Sequence, residues 1–176
     1  MYYLIGMRNK LDLKNIETRF ANIVEENKDK IYRICCYYVS EDDEVKDLYQ
    51  EVLMNIWKGL DKFRGDSSIT TWIFRITVNS ALAFLARQKK SKKVALFEDI
   101  INSEQKSQED RHKEINQLQK AINQLPLLDM IIISLVLEEV STKEIAKITG
   151  LTGGNVRVRI HRAREVLRKI IEGEKS

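Results

Sequence analysis

Between Arg157 and Lys169 the sequence places six basic side chains, Arg157, Arg159, Arg162, Arg164, Arg168 and Lys169, against one acid, Glu165. Asn155 and His161 stand among them. Guanidinium groups in that density suit phosphate oxygens, and polar residues near a helix N-terminus reach base edges in a major groove. The flanking residues supply a frame. Ser141 and Glu144 have the S-x-x-E interval of a capping box, so a helix begins there. It carries Ile145, Ala146 and Ile148 and stops at Gly150, the residue that accepts a left-handed turn at least cost. Thr152 caps the next helix, whose Val156, Ile160, Ala163, Leu167 and Ile170 make one apolar seam. Ala146, Gly150 and Val156 are spaced as two tightly crossing helices require, a helix-turn-helix. A solvated basic face on an ordinary helical hairpin is the plainer reading. The turn glycine and the charge density favour DNA.

Other chemistry is hard to assemble. Cys35 and Cys36 are adjacent, and His112 and His161 stand alone, so zinc spacing is missing. Neither GxGxxG nor GxxxxGK[ST] occurs. With no nucleophile set, carboxylate pair or metal cluster, an enzyme is the least expected class, and no cofactor or small-molecule substrate is expected. Cys35 lies on an apolar stripe, which favours buried thiols over a sensor. Neighbouring cysteines make a poor disulfide frame, so the chain reads as intracellular. The Glu41–Glu44 cluster reads as helix N-terminal chemistry behind a Ser40 cap, without a cation.

These residues must be positioned by 176 residues, enough for one ordinary domain or two small ones. One proline and seven glycines are too few for a turn-dense β-sandwich. A net charge of +4 decides little; the location of the charge decides more. Leu125–Leu137, the longest apolar stretch, is too short to span a bilayer. The first residues have no early cationic segment or cleavage site, so a signal peptide is not expected. Phe20, Ile23, Val24, Ile31, Ile34, Cys35 and Tyr38 mark a first helix or helix pair. Val45, Leu48, Tyr49, Val52, Leu53, Ile56, Trp57 and Leu60 mark a second, and a third runs from about Ile69 to Gln88. Past Lys89–Lys93 periodicity fades into a polar linker and returns with Ile115, Leu118, Ile122 and Leu125. Pro126 then opens a helix apolar almost all round, which is buried or keeps one face for a partner. The fold class is all-α: two small helical domains, 1–92 and 111–176, joined by a flexible linker over 93–110.

Within the first domain stand D-L-x-Q-E (Asp47 to Glu51), Trp57, K-F-R-G (Lys62 to Gly65), and Trp72 followed by Arg75, Ile76 and Asn79. This pattern resembles region 2 of the extracytoplasmic-function (ECF) sigma factors of the sigma-70 family. The second domain resembles region 4 through Leu125-Pro126, Glu144-Ile145-Ala146 and N-V-R-V-R-I-H-R-A (Asn155 to Ala163). The resemblance covers about Phe20 to Arg168. It implies a dissociable RNA polymerase subunit that directs the enzyme to promoters and assists strand opening. Asp47, Gln50, Glu51, Asn55 and Lys58 then meet the clamp helices of core polymerase; periodicity alone reads them as a solvated outward face. Lys62, Arg64, Asp66, Ser67, Trp72, Arg75, Asn79 and Arg87 hold the −10 strand and a flipped base, although Phe63 and Trp72 suit a core equally well. Thr142, Lys143, Asn155, Arg157, Arg159, His161 and Arg162 read the −35 element.

By the same resemblance the helix after Pro126 meets the polymerase flap tip, and anti-sigma factors commonly cover it. An anti-sigma factor is thus a candidate partner, alongside core polymerase and promoter DNA. The chain is expected to be cytoplasmic, or held at the inner membrane through such a factor, and monomeric when free or 1:1 with it. Two positions depart from the family. Met130 stands where a basic residue is usual, and Gly153-Gly154 weakens helix initiation by about 1 kcal/mol per glycine relative to alanine. The rival readings are a stand-alone dimeric helix-turn-helix regulator and a non-DNA adaptor or anti-sigma-like protein.

Overall fold

The computed structural model describes residues 2–95 and 112–173, with side chains over 15–88 and 118–173. All regular structure among them is helical: α1 (Tyr2–Tyr38), α2 (Asp42–Leu60), α3 (Ile69–Ala95), α4 (His112–Asn123), α5 (Leu127–Leu137), α6 (Thr142–Thr149) and α7 (Gly153–Gly173). The linker expected over 93–110 lies outside the described residues, apart from 93–95, which continue α3.

α1, α2 and α3 form the first bundle. Val45, Leu48, Val52, Ile56 and Leu60, stepping by three or four, bury one face of α2. Ile31, Ile34, Cys35 and Tyr38 from α1 and Ile73, Phe74, Val78 and Ala81 from α3 close over them. Each fully buried leucine or isoleucine contributes about 1.5–3 kcal/mol relative to exposure. The first stripe belongs to one long helix, not a pair, because neither proline nor glycine lies between its two apolar clusters. α2 departs from its expected cap. Its N-cap is Glu41, not Ser40, without a side-chain capping bond, and the Val45 N–H reaches the Glu41 carbonyl at 2.9 Å. Asp42, Asp43 and Glu44 sit in the first turn, where the helix dipole favours them. α3 outruns its expected end at Gln88, since neither proline nor glycine interrupts the lysines that follow.

Residues 69–88 of α3 are long and apolar enough to cross a membrane. Its apolar residues instead pack inward while Arg75 and Asn79 stand exposed, the pattern of an amphipathic core helix.

α5 is the hub of the second bundle, enclosed by α4, α6, α7 and, from the first bundle, α1. That enclosure answers its all-round apolarity: Met130 to Leu135 are buried, and only Leu127 and Leu137 at its ends remain exposed. Met130 serves this core rather than forming an open apolar site. Pro126, with no N–H to satisfy, stands at the N-cap. The two bundles touch along α1 against α4 and α5, and along α3 against α6, so their buried residues run together.

Candidate nucleic-acid interface

The α6–α7 frame is locked at each joint. Ser141 accepts the Glu144 backbone N–H at 3.3 Å, and its own N–H reaches Glu144 Oε2 at 3.3 Å, closing the capping box. Gly150 takes φ +73°, the left-handed turn, and its N–H bonds the Ala146 carbonyl at 2.9 Å. Thr152 Oγ1 accepts the Asn155 N–H at 3.3 Å, and Ile145 and Val156 are fully buried at the crossing. Gly153 and Gly154 turn out to be the first two residues of α7. There the N–H groups have no intrahelical partner in any case, so their cost falls on the end of the helix and not on its interior.

Held this way, α7 exposes Asn155, Arg157, His161, Arg162 and Arg164, and α6 exposes Lys143, with Thr142 half-buried. Among the described residues, the side chains of Lys143, Arg157, His161, Arg162 and Arg164 make no hydrogen bond or ion pair. Arg159 differs. Its Nη1 donates to Asp129 Oδ1 at 2.7 Å, tying α7 to the first turn of α5. Sequence reasoning missed this brace; its one signal was an aspartate interrupting the apolar α5 run.

The loop before α3 presents a second polar set. Lys62, Arg64 and Asp66 are exposed, and Gly65 takes φ +78°. Ser67 is half-buried, its Oγ donating to the Ser68 carbonyl at 3.3 Å. Ser68 caps α3 by accepting the Thr71 N–H at 3.1 Å. Trp72 is half-buried, its ring 5.2 Å from that of Phe63. A Cβ added at Gly59 would lie 2.9 Å from Trp72 Cζ2, so the indole sits on bare backbone. Arg75 and Asn79 stand exposed one turn apart, and Arg75 Nη2 donates to the Lys147 carbonyl at 3.0 Å. Arg87 lies over the Phe84 ring and is ion-paired to Glu51 of α2.

On α2, Asp47, Gln50 and Lys58 face outward as expected, beside the exposed Met54 and Trp57. Asn55 does not. Its Nδ2 donates to Ser80 Oγ at 2.9 Å, which turns it into the α2–α3 seam. Glu51 is half-buried by its pair with Arg87. Burial pushes the Cys35 thiol up to about 12 and raises Cys36 as well, which suits structural thiols.

Comparison with known proteins agrees with this layout. Residues 23–91 match Sigma-70 region 2 and residues 115–167 match Sigma-70 region 4. The chain is 30% identical over 146 residues to the RNA polymerase sigma factor SigV of Bacillus subtilis, covering 82% of this chain and 86% of the relative. It is 28% identical over 183 residues to the ECF RNA polymerase sigma factor SigW of the same organism, covering 96% and 97%. It is 32% identical over 168 residues to the ECF RNA polymerase sigma-E factor of Escherichia coli, covering 88% and 87%. Two solved structures share the fold. The sigma factor RpoE of Bartonella quintana, in complex with the anti-sigma factor NepR, superposes with a TM-score of 0.68 at 22% identity, over 90% of this chain and 98% of that one. CnrH, in complex with the cytosolic domain of CnrY, gives 0.69 at 19% identity, over 89% and 90%.

Proposed function

The chain belongs to the ECF group of the sigma-70 family and is a dissociable sigma factor that directs RNA polymerase to promoters; we propose how its parts divide that work. Residues 111–176 read the −35 duplex through α7, with Arg157 and Arg162 on phosphates and base edges, and Asn155, His161, Thr142 and Lys143 beside them. Arg159 serves this half through its brace to Asp129. Residues 1–92 dock on core polymerase through Asp47, Gln50 and Lys58. They take the −10 strand along Lys62, Arg64, Asp66, Ser67, Trp72, Arg75 and Asn79, where cations meet phosphates and the indole offers a stacking surface. Glu51 and Arg87 join these two faces through their pair, and Asn55 supports them from behind. The segment 93–110 lets the two halves act together, the second contact following the first at high effective concentration. No chemistry is assigned to the chain itself; the polymerase makes the RNA. The working compartment is the cytoplasm, with an anti-sigma factor as a candidate regulator.

The observation that most supports this reading is the basic face of α7, where Arg157, Arg162 and Arg164 make no ion pair among the described residues, on a helix locked at its cap, turn and crossing. The test is run-off transcription from a promoter library with core polymerase, with and without the chain. Specific starts that need the chain support it. Polymerase-free binding to a palindrome with no new starts overturns it in favour of the dimeric regulator.

A further inference from the structure

One side chain on the basic face of α7 is out of character with its neighbours. Val158 carries neither a charge nor a hydrogen-bonding group, and it is 48% exposed. The buried seam fixes where it points. At about 100° per residue, Val158 lies about 160° around the helix from the mean direction of Val156, Ala163 and Leu167, the residues of α7 that are buried. It therefore points almost directly away from the core. Arg157 and His161 flank it on one side of that face, Asn155 and Arg162 on the other, and all four are exposed. Val158 belongs to the second turn of α7, close to the N-terminal end from which a helix-turn-helix reaches base edges.

Nothing in the free chain rewards a valine at this position. A β-branched side chain on an exposed helical site loses rotamer freedom against the preceding turn and stabilises the helix less than alanine would. A single exposed apolar side chain is ordinary on a protein surface. The place of this one, at the centre of the face assigned to DNA, is what gives it a partner. In the major groove guanine offers two acceptors, cytosine an amino donor, and adenine one acceptor and one donor. Thymine alone adds a carbon surface, its C5 methyl. A valine pressed on a purine edge or on the cytosine amino group would strip water from a polar atom and return no hydrogen bond. Against thymine it removes two apolar surfaces from water at once. The same side chain thus favours one base and disfavours the other three.

Resting on the promoter-recognition reading, we propose that Val158 is a specificity-determining residue that reads the C5 methyl of a thymine, on one strand or the other, within the −35 duplex. Arg157 and Arg162 beside it supply charge, and with it most of the affinity. The valine decides which base is accepted at its position.

The test uses holoenzyme assembled from core polymerase and the full chain, on a promoter recovered from the run-off library. Each −35 thymine is replaced in turn by deoxyuridine, which keeps the base pair and removes only the methyl. At one position wild type is expected to bind the uracil template about fourfold more weakly, the worth of one buried methyl-sized group. Val158→Ala is expected to lose a similar factor on the thymine promoter and to bind the uracil template no more weakly than that. In the library it should accept other bases at this position. Val166→Ala is the control. Val166 is 42% exposed on the same helix, eight residues or about 12 Å farther from the N-terminal end, so its loss should leave the response to uracil unchanged. Val158→Ala should melt no lower than wild type, which separates a lost contact from a damaged helix. The contact is overturned by a −35 element without thymine, by wild-type binding indifferent to every uracil, or by a Val158→Ala response to uracil equal to that of wild type. A Val158→Ala chain that melts lower, or a Val166→Ala chain that loses the same response, overturns it as well. In all of these cases starts that need the chain persist, and the promoter reading stands. If no template gives such starts, the promoter reading falls and the assignment of Val158 falls with it.

Discussion

The polar side chains assigned to DNA are held in opposite ways by the two halves of the molecule. On α7, Arg157, His161 and Arg162 project from a locked helix and bond to nothing among the described residues; of the α7 side chains assigned to DNA Arg159 is committed, to Asp129, and farther along the helix Arg168 pairs with Glu165. In the first bundle Lys62, Arg64, Asp66 and Asn79 stand exposed, but the rest of the −10 set is engaged. Trp72 is seated on Gly59, Arg75 is bonded to α6, and Arg87 is paired with Glu51. The contrast follows the two tasks. A duplex presents its phosphates and groove edges ready-made, so a reader of duplex can stand preformed. A melted strand exists only after the polymerase complex has opened it, and free exposure of a stacking and cationic surface before then invites nonspecific single strands.

The most severe way to break this comparison is to remove the free cations. Arg157→Ala/Arg162→Ala is expected to cost about 1–3 kcal/mol of DNA contact per arginine, so transcription at limiting concentration falls roughly tenfold or more. The melting temperature should stay within a degree or two, because neither side chain holds anything else in the free chain. A large loss of stability would show that α7 is not a preformed reader.

Gly59→Ala probes the engaged half. The new Cβ would meet Trp72 Cζ2 at 2.9 Å, a contact the flat indole cannot relieve without shifting against Phe63. A stability loss of about 1–3 kcal/mol is expected, with a change in tryptophan emission. Unchanged emission and stability would mean that Trp72 is not pinned by packing, and the two halves would then differ less than their geometry suggests.

Much of this was legible in the sequence, because it depends on local rules. The capping box at Ser141, the left-handed Gly150 and the Thr152 cap are each set within four residues, and each is observed. The α2 stripe is legible for the same reason: a period of 3.6 fixes which side chains share a face. What escaped depends on partners distant in sequence. Asn55 lies on the outward side by spacing, and only the approach of Ser80, 25 residues on, draws it in. Arg159 reads as one more basic residue until Asp129, 30 residues back, claims it. Glu138 gave no signal at all, since its partner Arg33 is 105 residues away in the other half.

Asp129→Asn sharpens the exception among the α7 side chains assigned to DNA. The lost ion pair is half-exposed, so a cost of about 1 kcal/mol is expected in thermal or urea unfolding. DNA contact should move the other way, because Arg159 is released to join Arg157 and Arg162. A modest tightening, with a steeper dependence on salt, is the expected result in polymerase-dependent promoter binding. If binding weakens along with stability, the brace orients α7 and Arg159 is more useful held than free.

The smallest effect expected is one of pH, and it bears on whether the first bundle is engaged at its α3 end. Glu144 has its carboxyl held below the ordinary 4.5, first by the hydrogen bond from Ser141 and next by that from Thr71 across the two halves. A depressed folded-state value means that its stabilisation is complete above about pH 4.5 and is lost as the pH falls below it through the folded-state value. Thermal melts should therefore be insensitive to this group between pH 6 and 8. They should decline on acidification below about pH 4.5, less steeply in Glu144→Gln, which keeps the capping box but has no proton to take up. Thr71→Val separates the two contributions. It leaves the Ser141 bond intact and removes only the one that crosses to α3, so its acid slope should fall between those of wild type and Glu144→Gln. A Thr71→Val curve that overlays the wild-type curve would show that the crossing bond adds nothing. The start of α3 would then be as free as the face of α7.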